Sequence, residues 1–281
     1  MAGATLISTS AVWVRLADVD PTATGVYRMG LGAVGLFILA FVKSWDRWRG
    51  WRYAARFLPM GAFFALDLFL WHRSIHYVGP GLATVLASCQ VFVLAAVGTM
   101  FLGEKFDWRL PVSLVLAVPG VVLLVGIDVS ALSDDYLIGV AMGLGTAVAY
   151  SGFLLGLRKA QSEEDALRAA PNVMYASIWT ALLLVVVALV TGESFEVPDT
   201  QSGLSLLAYG VVCQVVAWYL MTDAMPELPA SVVGLTLLLQ PSLAMVWDVL
   251  FFERPASLVD LGAGAMVLAG IYLAYTRGDA E

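Results

Sequence analysis

Mixed stripes of amide, hydroxyl and aromatic side chains recur inside the apolar stretches of this chain. Gln214 and Trp218 lie one helical turn apart, and Thr146 and Tyr150 have the same spacing, so each pair shares a helix face. Such stripes suit a zwitterion with an apolar side chain, because the rings contact the side chain while amides and hydroxyls replace water at its polar ends. The same groups could instead hydrogen-bond one another between helices. The residues that we expect to line a substrate cavity are Trp13, Trp71, His76, Gln90, Tyr150, Gln214, Trp218 and Gln240.

Charged side chains inside the apolar stretches form a second group of candidates. Because each buried charge costs about 2.5–3.5 kcal/mol in hydrocarbon, Arg28 and Asp67 both need a reason to lie there. Arg28 lies too deep to extend easily to the interface, which favours a structural pairing role. Asp67 either faces a cavity or pairs with Arg28 or a backbone amide. Glu104 and Glu253 each follow the end of an apolar stretch, and we expect them to act as caps or ion pairs that set conformation.

The only two histidines, His72 and His76, have the i, i+4 spacing of a possible metal pair. The sequence shows no further cluster of histidine or carboxylate ligands beside them, and no Ser-His-Asp set. It therefore favours neither an integral-membrane enzyme nor a metal or other cofactor. His76, near one end of its stretch, is instead expected to hydrogen-bond substrate.

The composition indicates which elements must position these side chains. Hydrophobic residues make up 60% of the 281 residues and charged residues only 13%, whereas a soluble domain has about 25% charged residues. Lipid must therefore surround most of the chain, and a nucleic-acid-binding protein is excluded. Since a membrane helix needs about 20 apolar residues, the chain has room for about ten such helices. The predicted spans are 1–17, 22–42, 57–77, 79–102, 109–127, 136–157, 170–191, 203–222, 228–252 and 257–276.

Basic residues are concentrated on one side of the predicted bundle. The loop 43–56 alone holds five of the 15 basic residues, whereas the loops on the opposite side are acidic. By the positive-inside rule, this asymmetry places both termini in the cytoplasm, which requires an even number of spans. The residues 277–281 would form a short cytoplasmic tail.

The two halves of the chain show a weak internal repeat. Pro80 to Glu104 and Pro229 to Glu253 both cover an apolar span from proline to glutamate, at a constant offset of 149 residues. The repeat predicts two five-helix units, 1–127 and 136–276. Because five is odd, the second unit must be inverted relative to the first. Inverted repeats are typical of alternating-access carriers, which bind substrate near the midplane between the halves.

These features together resemble the drug/metabolite transporter superfamily, in its ten-helix branch of metabolite exporters. The resemblance covers nearly the whole chain and includes Arg28 in the second span, within Tyr27-Arg28-Met29, and the two span-ending glutamates. It is greatest to the bacterial aromatic amino acid exporters. The resemblance implies an all-α integral membrane protein of the bacterial inner membrane, with two inverted five-helix repeats around a central cavity. One departure is that the fourth span lacks the proline that the ninth has in Gln240-Pro241.

The sequence thus predicts a transporter that exports amino acids, aromatic ones included, by alternating access. An alternative is a proton-coupled exporter of drugs or lipophilic cations. Relatives of that kind use a carboxylate in the first span, which is absent from residues 1–17, so Asp67 would have to replace it. A nucleotide-sugar transporter would need several cationic groups for phosphates, and Arg28 alone gives little support for one. The expected partners are a small-molecule substrate and the lipid bilayer, and the sequence does not indicate an oligomeric state.

Overall fold

The computed structural model describes residues 1–46, 48–104, 108–125, 134–252 and 257–275. This part of the chain is helical and contains no β-strand. The helices are α1 (Ala2–Ser8), α2 (Ser10–Leu16), α3 (Pro21–Val42), α4 (Trp51–Ala55), α5 (Leu58–Ser88), α6 (Gln90–Phe101), α7 (Arg109–Val125), α8 (Asp134–Ser162), α9 (Ala169–Thr191), α10 (Thr200–Ala208), a π-helical segment (Tyr209–Ala217), α11 (Trp218–Ala224), a 3₁₀ turn (Met225–Glu227), α12 (Ala230–Leu237), α13 (Leu239–Phe252) and α14 (Leu258–Tyr275).

Several helices are long and apolar enough to cross a membrane. In the described part of the chain, the segments that meet this description are Pro21–Val42, Trp51–Ser74, Asp134–Ser162, Ala169–Thr191 and Thr200–Glu227. Shorter apolar helices cover Leu86–Phe101, Arg109–Gly120, Ala230–Leu243 and Leu261–Leu273. The prediction of an all-helical, multi-pass membrane protein is therefore confirmed. The predicted tail, 277–281, lies outside the described residues.

The first predicted span, 1–17, is divided into two short helices at Thr9. The hydroxyls of Ser8, Thr9 and Ser10 each donate a hydrogen bond to the backbone carbonyl three residues earlier, at 2.5, 2.7 and 2.5 Å. Three consecutive hydroxyls therefore compete with backbone amides for the carbonyls of the preceding turn. This competition explains why the helix is interrupted at the point where α1 and α2 meet.

The boundary between the third and fourth predicted spans also differs from the expectation. The sequence predicts it at Val78, whereas the structure keeps one helix to Ser88 and begins the next at Gln90. No charged residue lies between Tyr77 and Cys89, so no polar segment requires the chain to leave the membrane there. A backbone that stays helical in an apolar stretch keeps its polar groups satisfied.

The helices pack mainly across the two halves of the chain. The most extensive contacts join α5 to α8, α7 to α14 and α3 to α9, followed by α5 to α9, α6 to α12 and α3 to the π-helical segment. Helix α1 packs against the π-helical segment and α13. The pair α7 and α14 is in backbone contact. A Cβ atom on Gly120 would lie 2.7 Å from the carbonyl oxygen of Ala263, and one on Gly270 would lie 2.7 Å from that of Ser113. Small residues thus allow the close helix approach that is typical of membrane bundles.

Candidate functional site

A cavity of about 160 Å³ lies where helices of both chain halves meet. We call it the central cavity. Its walls come from α1, α2, α3, α5 and α6 on one side and from α8, the π-helical segment, α12 and α13 on the other. The lining residues are Ile7, Ser8, Ser10, Arg28, Phe64, Asp67, Leu68, Trp71, Thr84, Ala87, Ser88, Gln90, Thr146, Tyr150, Tyr209, Leu237, Gln240 and Pro241.

Four of the residues expected to line a cavity do so, although they come from four different helices. Trp71 on α5, Gln90 on α6, Tyr150 on α8 and Gln240 on α13 all border the central cavity. Tyr150 and Gln240 thus border the same space from opposite halves of the chain. The structure therefore brings aromatic and amide groups from distant parts of the sequence around one space.

Arg28 is held in the cavity wall by two neutral partners. Its Nε donates to Oε1 of Gln214 at 3.1 Å, and its Nη1 donates to the hydroxyl of Tyr209 at 2.9 Å. The guanidinium carbon lies 4.8 Å from the centre of the Tyr209 ring. Gln214 is held in turn by Ser177, since its Nε2 donates to Oγ of that residue at 2.9 Å. A guanidinium has five N–H donors, so this arrangement fixes the group and leaves donors for a solute.

Asp67 is the acidic side chain of the central cavity wall, and it is only 7% exposed. The expectation of a direct pair with Arg28 or a backbone amide is not realised in the described residues, where Asp67 has no hydrogen bond or ion pair. Arg28 acts on it electrostatically through the shared space. A buried carboxylate without a bonded partner destabilises the protein. A cationic solute in the cavity would supply that partner.

Besides Asp67, two fully buried polar atoms of the cavity residues have no hydrogen-bond partner within the described parts of the chain. They are Oγ1 of Thr146 on α8 and Nε2 of Gln240 on α13. Buried polar groups are nearly always paired, and each exception calls for an explanation such as a bound water or solute. Because both residues belong to the wall, the Gln240 amide can donate a hydrogen bond to a bound molecule, and the Thr146 hydroxyl can donate or accept one.

Other residues expected in the cavity lie elsewhere. Gln214 lies behind Arg28, and Trp218 packs against the outer side of Tyr150 with ring centres 6.3 Å apart. Trp13 uses its indole N–H to bond Thr9 Oγ1 at 3.1 Å and does not border the central cavity. The side chain of His76 and the whole of Glu253 lie outside the described residues.

Glu104 connects the end of α6 to the start of α12. Its carboxylate accepts a hydrogen bond from the backbone N–H of Ala230 at 2.5 Å and another from the Ser231 hydroxyl at 2.7 Å. Gly98 makes room for it, because a Cβ atom there would lie 2.5 Å from a carboxylate oxygen. A carboxylate at this position also complements the positive end of the helix dipole.

The residue that sequence reasoning missed above all is Tyr209 of the π-helical segment, which also contains the predicted Gln214. Tyr209 and Gln214 are five residues apart and would face different directions on an α-helix. In a π-helix the i, i+5 pair lies on one face, so both can hold Arg28. No sequence signal marks this local change of helix type. Phe64 also lines the cavity, but nothing in the sequence distinguishes it from the other apolar residues of its span.

Comparison with known proteins agrees with this architecture. The sequence profile of the EamA-like transporter family matches residues 1–126 and 137–276. A solved structure, titled only as the crystal structure of a protein, superimposes with a TM-score of 0.84 at 17% identity, covering 100% of this chain and 96% of the other. At that identity the likeness shows the fold alone. None of the curated proteins matches the chain.

Proposed function

Because the chain belongs to the EamA-like transporter family, of the drug/metabolite transporter superfamily, we propose that it exports amino acids, aromatic ones included. Family membership makes the protein a non-enzymatic membrane transporter of small molecules. The proposal adds the substrate class, the outward direction, alternating access, and the bacterial inner membrane with both termini in the cytoplasm.

The observation that carries the proposal is the pair of opposite charges in one cavity. Arg28 and Asp67 both line the central cavity, and in the described part of the structure no ion pair joins them. An amino acid carries a carboxylate and an ammonium group on one small molecule. The carboxylate can take the remaining donors of Arg28, while the ammonium group can pair with Asp67. Each charge of the substrate then neutralises one buried charge of the protein.

The remaining walls suit an apolar or aromatic substrate side chain. Phe64, Trp71 and Tyr150 contribute rings to the central cavity, and aromatic rings bind other rings by stacked or edge contacts. Gln90 adds an amide that can donate or accept. Arg28 is the cationic side chain of the wall, whereas a nucleotide sugar would need several cationic groups for its phosphates.

The helix pairing supports a mechanism with two inverted five-helix repeats, 1–127 and 136–276. If each helix is matched with the one five spans later, then α3 with α9, α6 with α12, and α7 with α14 are matched pairs. These three of the five matched pairs are also contacting pairs, which is consistent with a pseudo-two-fold axis between two units. The central cavity lies at the junction of the two units. Rocking of one unit against the other would expose this cavity to each side in turn.

A proton-coupled exporter of drugs or lipophilic cations is the second candidate. The observation that favours it is Asp67, a buried carboxylate that has no bonded partner in the described chain and could hold either a proton or a cation. This candidate gives Arg28 no direct role with substrate. The two functions therefore differ in whether the substrate needs a carboxylate.

The test is competition in proteoliposomes. Purified protein should exchange labelled phenylalanine, and unlabelled phenylalanine should compete. Phenethylamine lacks the carboxylate and 3-phenylpropionate lacks the ammonium group, so each should compete about tenfold less well or worse. Arg28→Gln should abolish the difference between phenylalanine and phenethylamine, whereas Arg52→Gln, on an exposed arginine, should leave it unchanged. Equal competition by phenethylamine in the native protein would contradict the proposal and support the cation exporter.

A further inference from the structure

Trp218 and Thr222 are two fully buried residues, one helical turn apart on α11, whose polar atoms are unused. Both are 0% exposed. Among the residues that the structure describes, neither the indole nitrogen of Trp218 nor the hydroxyl of Thr222 has a hydrogen-bond partner. Because they are separated by four residues, the two side chains lie on one face of the helix.

Comparable residues of this chain have partners. The indole nitrogens of Trp13, Trp179 and Trp247 donate to oxygen atoms at 3.1, 2.9 and 2.7 Å. The buried hydroxyl of Thr180 donates to a backbone carbonyl one turn earlier at 2.8 Å. The indole nitrogen of Trp218 therefore differs from those of three other tryptophans, whereas the Thr222 hydroxyl shares its lack of a partner in the described residues with the Thr146 hydroxyl of the central cavity wall. Leaving such groups without partners costs stability, so a compensating role is expected.

Trp218 lies directly behind the wall of the central cavity. Its ring centre is 5.7 Å from that of Phe64 and 6.3 Å from that of Tyr150, and both of these residues border the cavity. Phe153 packs on the same side of the indole as Phe64, with its ring centre 5.0 Å from that of Trp218 and 4.2 Å from that of Phe64. These rings separate the indole of Trp218 from the central cavity, so a shift of the rings would expose the indole to it.

A second cavity, of about 190 Å³, lies on the other side of this region. It is formed by the start of α1, by α11 with the following 3₁₀ turn, and by α12. Met221 and Met225 line it, and both lie next to Trp218 and Thr222 around the axis of the helix. Leu237 borders both cavities. Neither Trp218 nor Thr222 borders either cavity, but α11 lines the second cavity while its Trp218 packs against two rings of the central cavity wall. We call the layer that contains Leu237, Trp218 and Thr222 the partition.

We infer that Trp218 and Thr222 form a second substrate-contact site, which is closed in this conformation and is used when the partition opens. The inference rests on the proposed function, since it assigns a second position to the same substrate. The indole N–H is a donor only, so it suits the substrate carboxylate, and the hydroxyl can bond either polar end. The second cavity lies beside the N-terminus of α1, which is the cytoplasmic end in the proposed orientation. The site would therefore be the first polar contact for substrate that arrives from the cytoplasm.

The test separates substrate contact from packing by comparing stability with transport from each side. Thr222→Val keeps the shape and replaces only the hydroxyl, whereas Trp218→Phe keeps an aromatic ring but removes part of the ring system together with the indole N–H. Because neither polar atom has a hydrogen bond to lose within the described residues, Thr222→Val should leave Tm unchanged or raise it. Trp218→Phe should lower Tm only through its lost packing contacts. In vesicles of known orientation, each should raise the KM for phenylalanine on the cytoplasmic side about two- to tenfold and leave the outer KM unchanged.

Matched controls exist on a neighbouring helix. Thr180→Val and Trp179→Phe make the same substitutions where the polar atom has a partner, so they should lower Tm without a difference between the two sides. A Thr222→Val protein with lowered Tm and unchanged KM on both sides would overturn the inference. If Trp218→Phe does not fold, the result for Thr222→Val decides.

A labelling experiment distinguishes failure of this inference from failure of the proposed function. In a protein whose Cys89 and Cys213 are replaced by alanine, Thr222→Cys should react with a membrane-impermeant thiol reagent added on the cytoplasmic side. Reaction on that side supports the opening of the partition even if phenylalanine proves not to be the substrate. Absence of reaction under conditions in which phenylalanine is transported would contradict the inference and leave the proposed function intact.

Discussion

Tyr209 and Gln214 hold Arg28 from one face of a π-helical segment, although five residues separate them in the sequence. A π-helical turn inside an α-helix is uncommon and is often found at functional sites. Here it directs a phenol and an amide at the same guanidinium. The two neutral partners fix the buried arginine but do not neutralise its charge. A substrate carboxylate can then neutralise it.

Tyr209→Phe should weaken both the fold and substrate binding. It removes a hydrogen bond to a charged group, which is worth about 1.5–3 kcal/mol, and leaves Arg28 less firmly positioned. Thermal unfolding in detergent and the Kd for phenylalanine measure the two effects. Tyr27→Phe is the matched control, because the Tyr27 hydroxyl donates to the carbonyl of Phe195 at 2.6 Å, away from the central cavity. A Tyr209 variant with native affinity would argue against a role for Arg28 in binding.

Asp67→Asn should weaken binding of phenylalanine about tenfold or more, because the ammonium group loses its charged partner. Binding of 3-phenylpropionate, which has no ammonium group, should not weaken. Calorimetric titration of both compounds provides the comparison. Asp18→Asn, on an exposed aspartate, should change neither affinity. Loss of affinity for both compounds to the same extent would indicate that Asp67 only maintains the fold.

Glu104→Gln should lower the free energy of unfolding by about 1–2 kcal/mol. The carboxylate accepts hydrogen bonds from Ala230 and Ser231 at the start of α12, and an amide can reproduce only one of these bonds. Unfolding monitored by circular dichroism should show the difference. Glu164→Gln, on an exposed residue of the loop before α9, is the control and should leave stability unchanged. Equal stability of the two variants would mean that the hydrogen bonds of Glu104 do not stabilise the start of α12.

Gly120→Ala and Gly262→Ala should have opposite effects on stability. Both glycines lie inside helices of the α7 and α14 pair, where alanine is favoured over glycine by up to about 1 kcal/mol. A methyl group at Gly120 would press against the backbone of Ala263, so the helices would have to separate, whereas nothing lies within 4 Å of the Cβ position at Gly262. The first variant should therefore lower Tm and the second raise it slightly. A change of Tm in the same direction for both variants would contradict the close packing of α7 against α14.

Part of the candidate site could be predicted from the sequence because burial in lipid makes polar side chains informative. Gln90, Tyr150 and Gln240 stand out in apolar stretches, and all three border the central cavity. The same reasoning could not separate the wall from the layer behind it. Trp218 and Gln214 have the composition of cavity residues, but the neighbours that cover them come from other helices.

The sequence by itself determined that this protein is a helical membrane protein, because a chain with 13% charged residues cannot cover a core in water. It also determined that Arg28 and Asp67 would need a special environment. Only the tertiary structure decided that both face one cavity without bonding each other in the described residues, and that Tyr209 helps to hold the arginine. The physical reason is that helix periodicity and hydropathy act locally. The register between helices and the switch to a π-helical turn depend on packing between residues far apart in the chain.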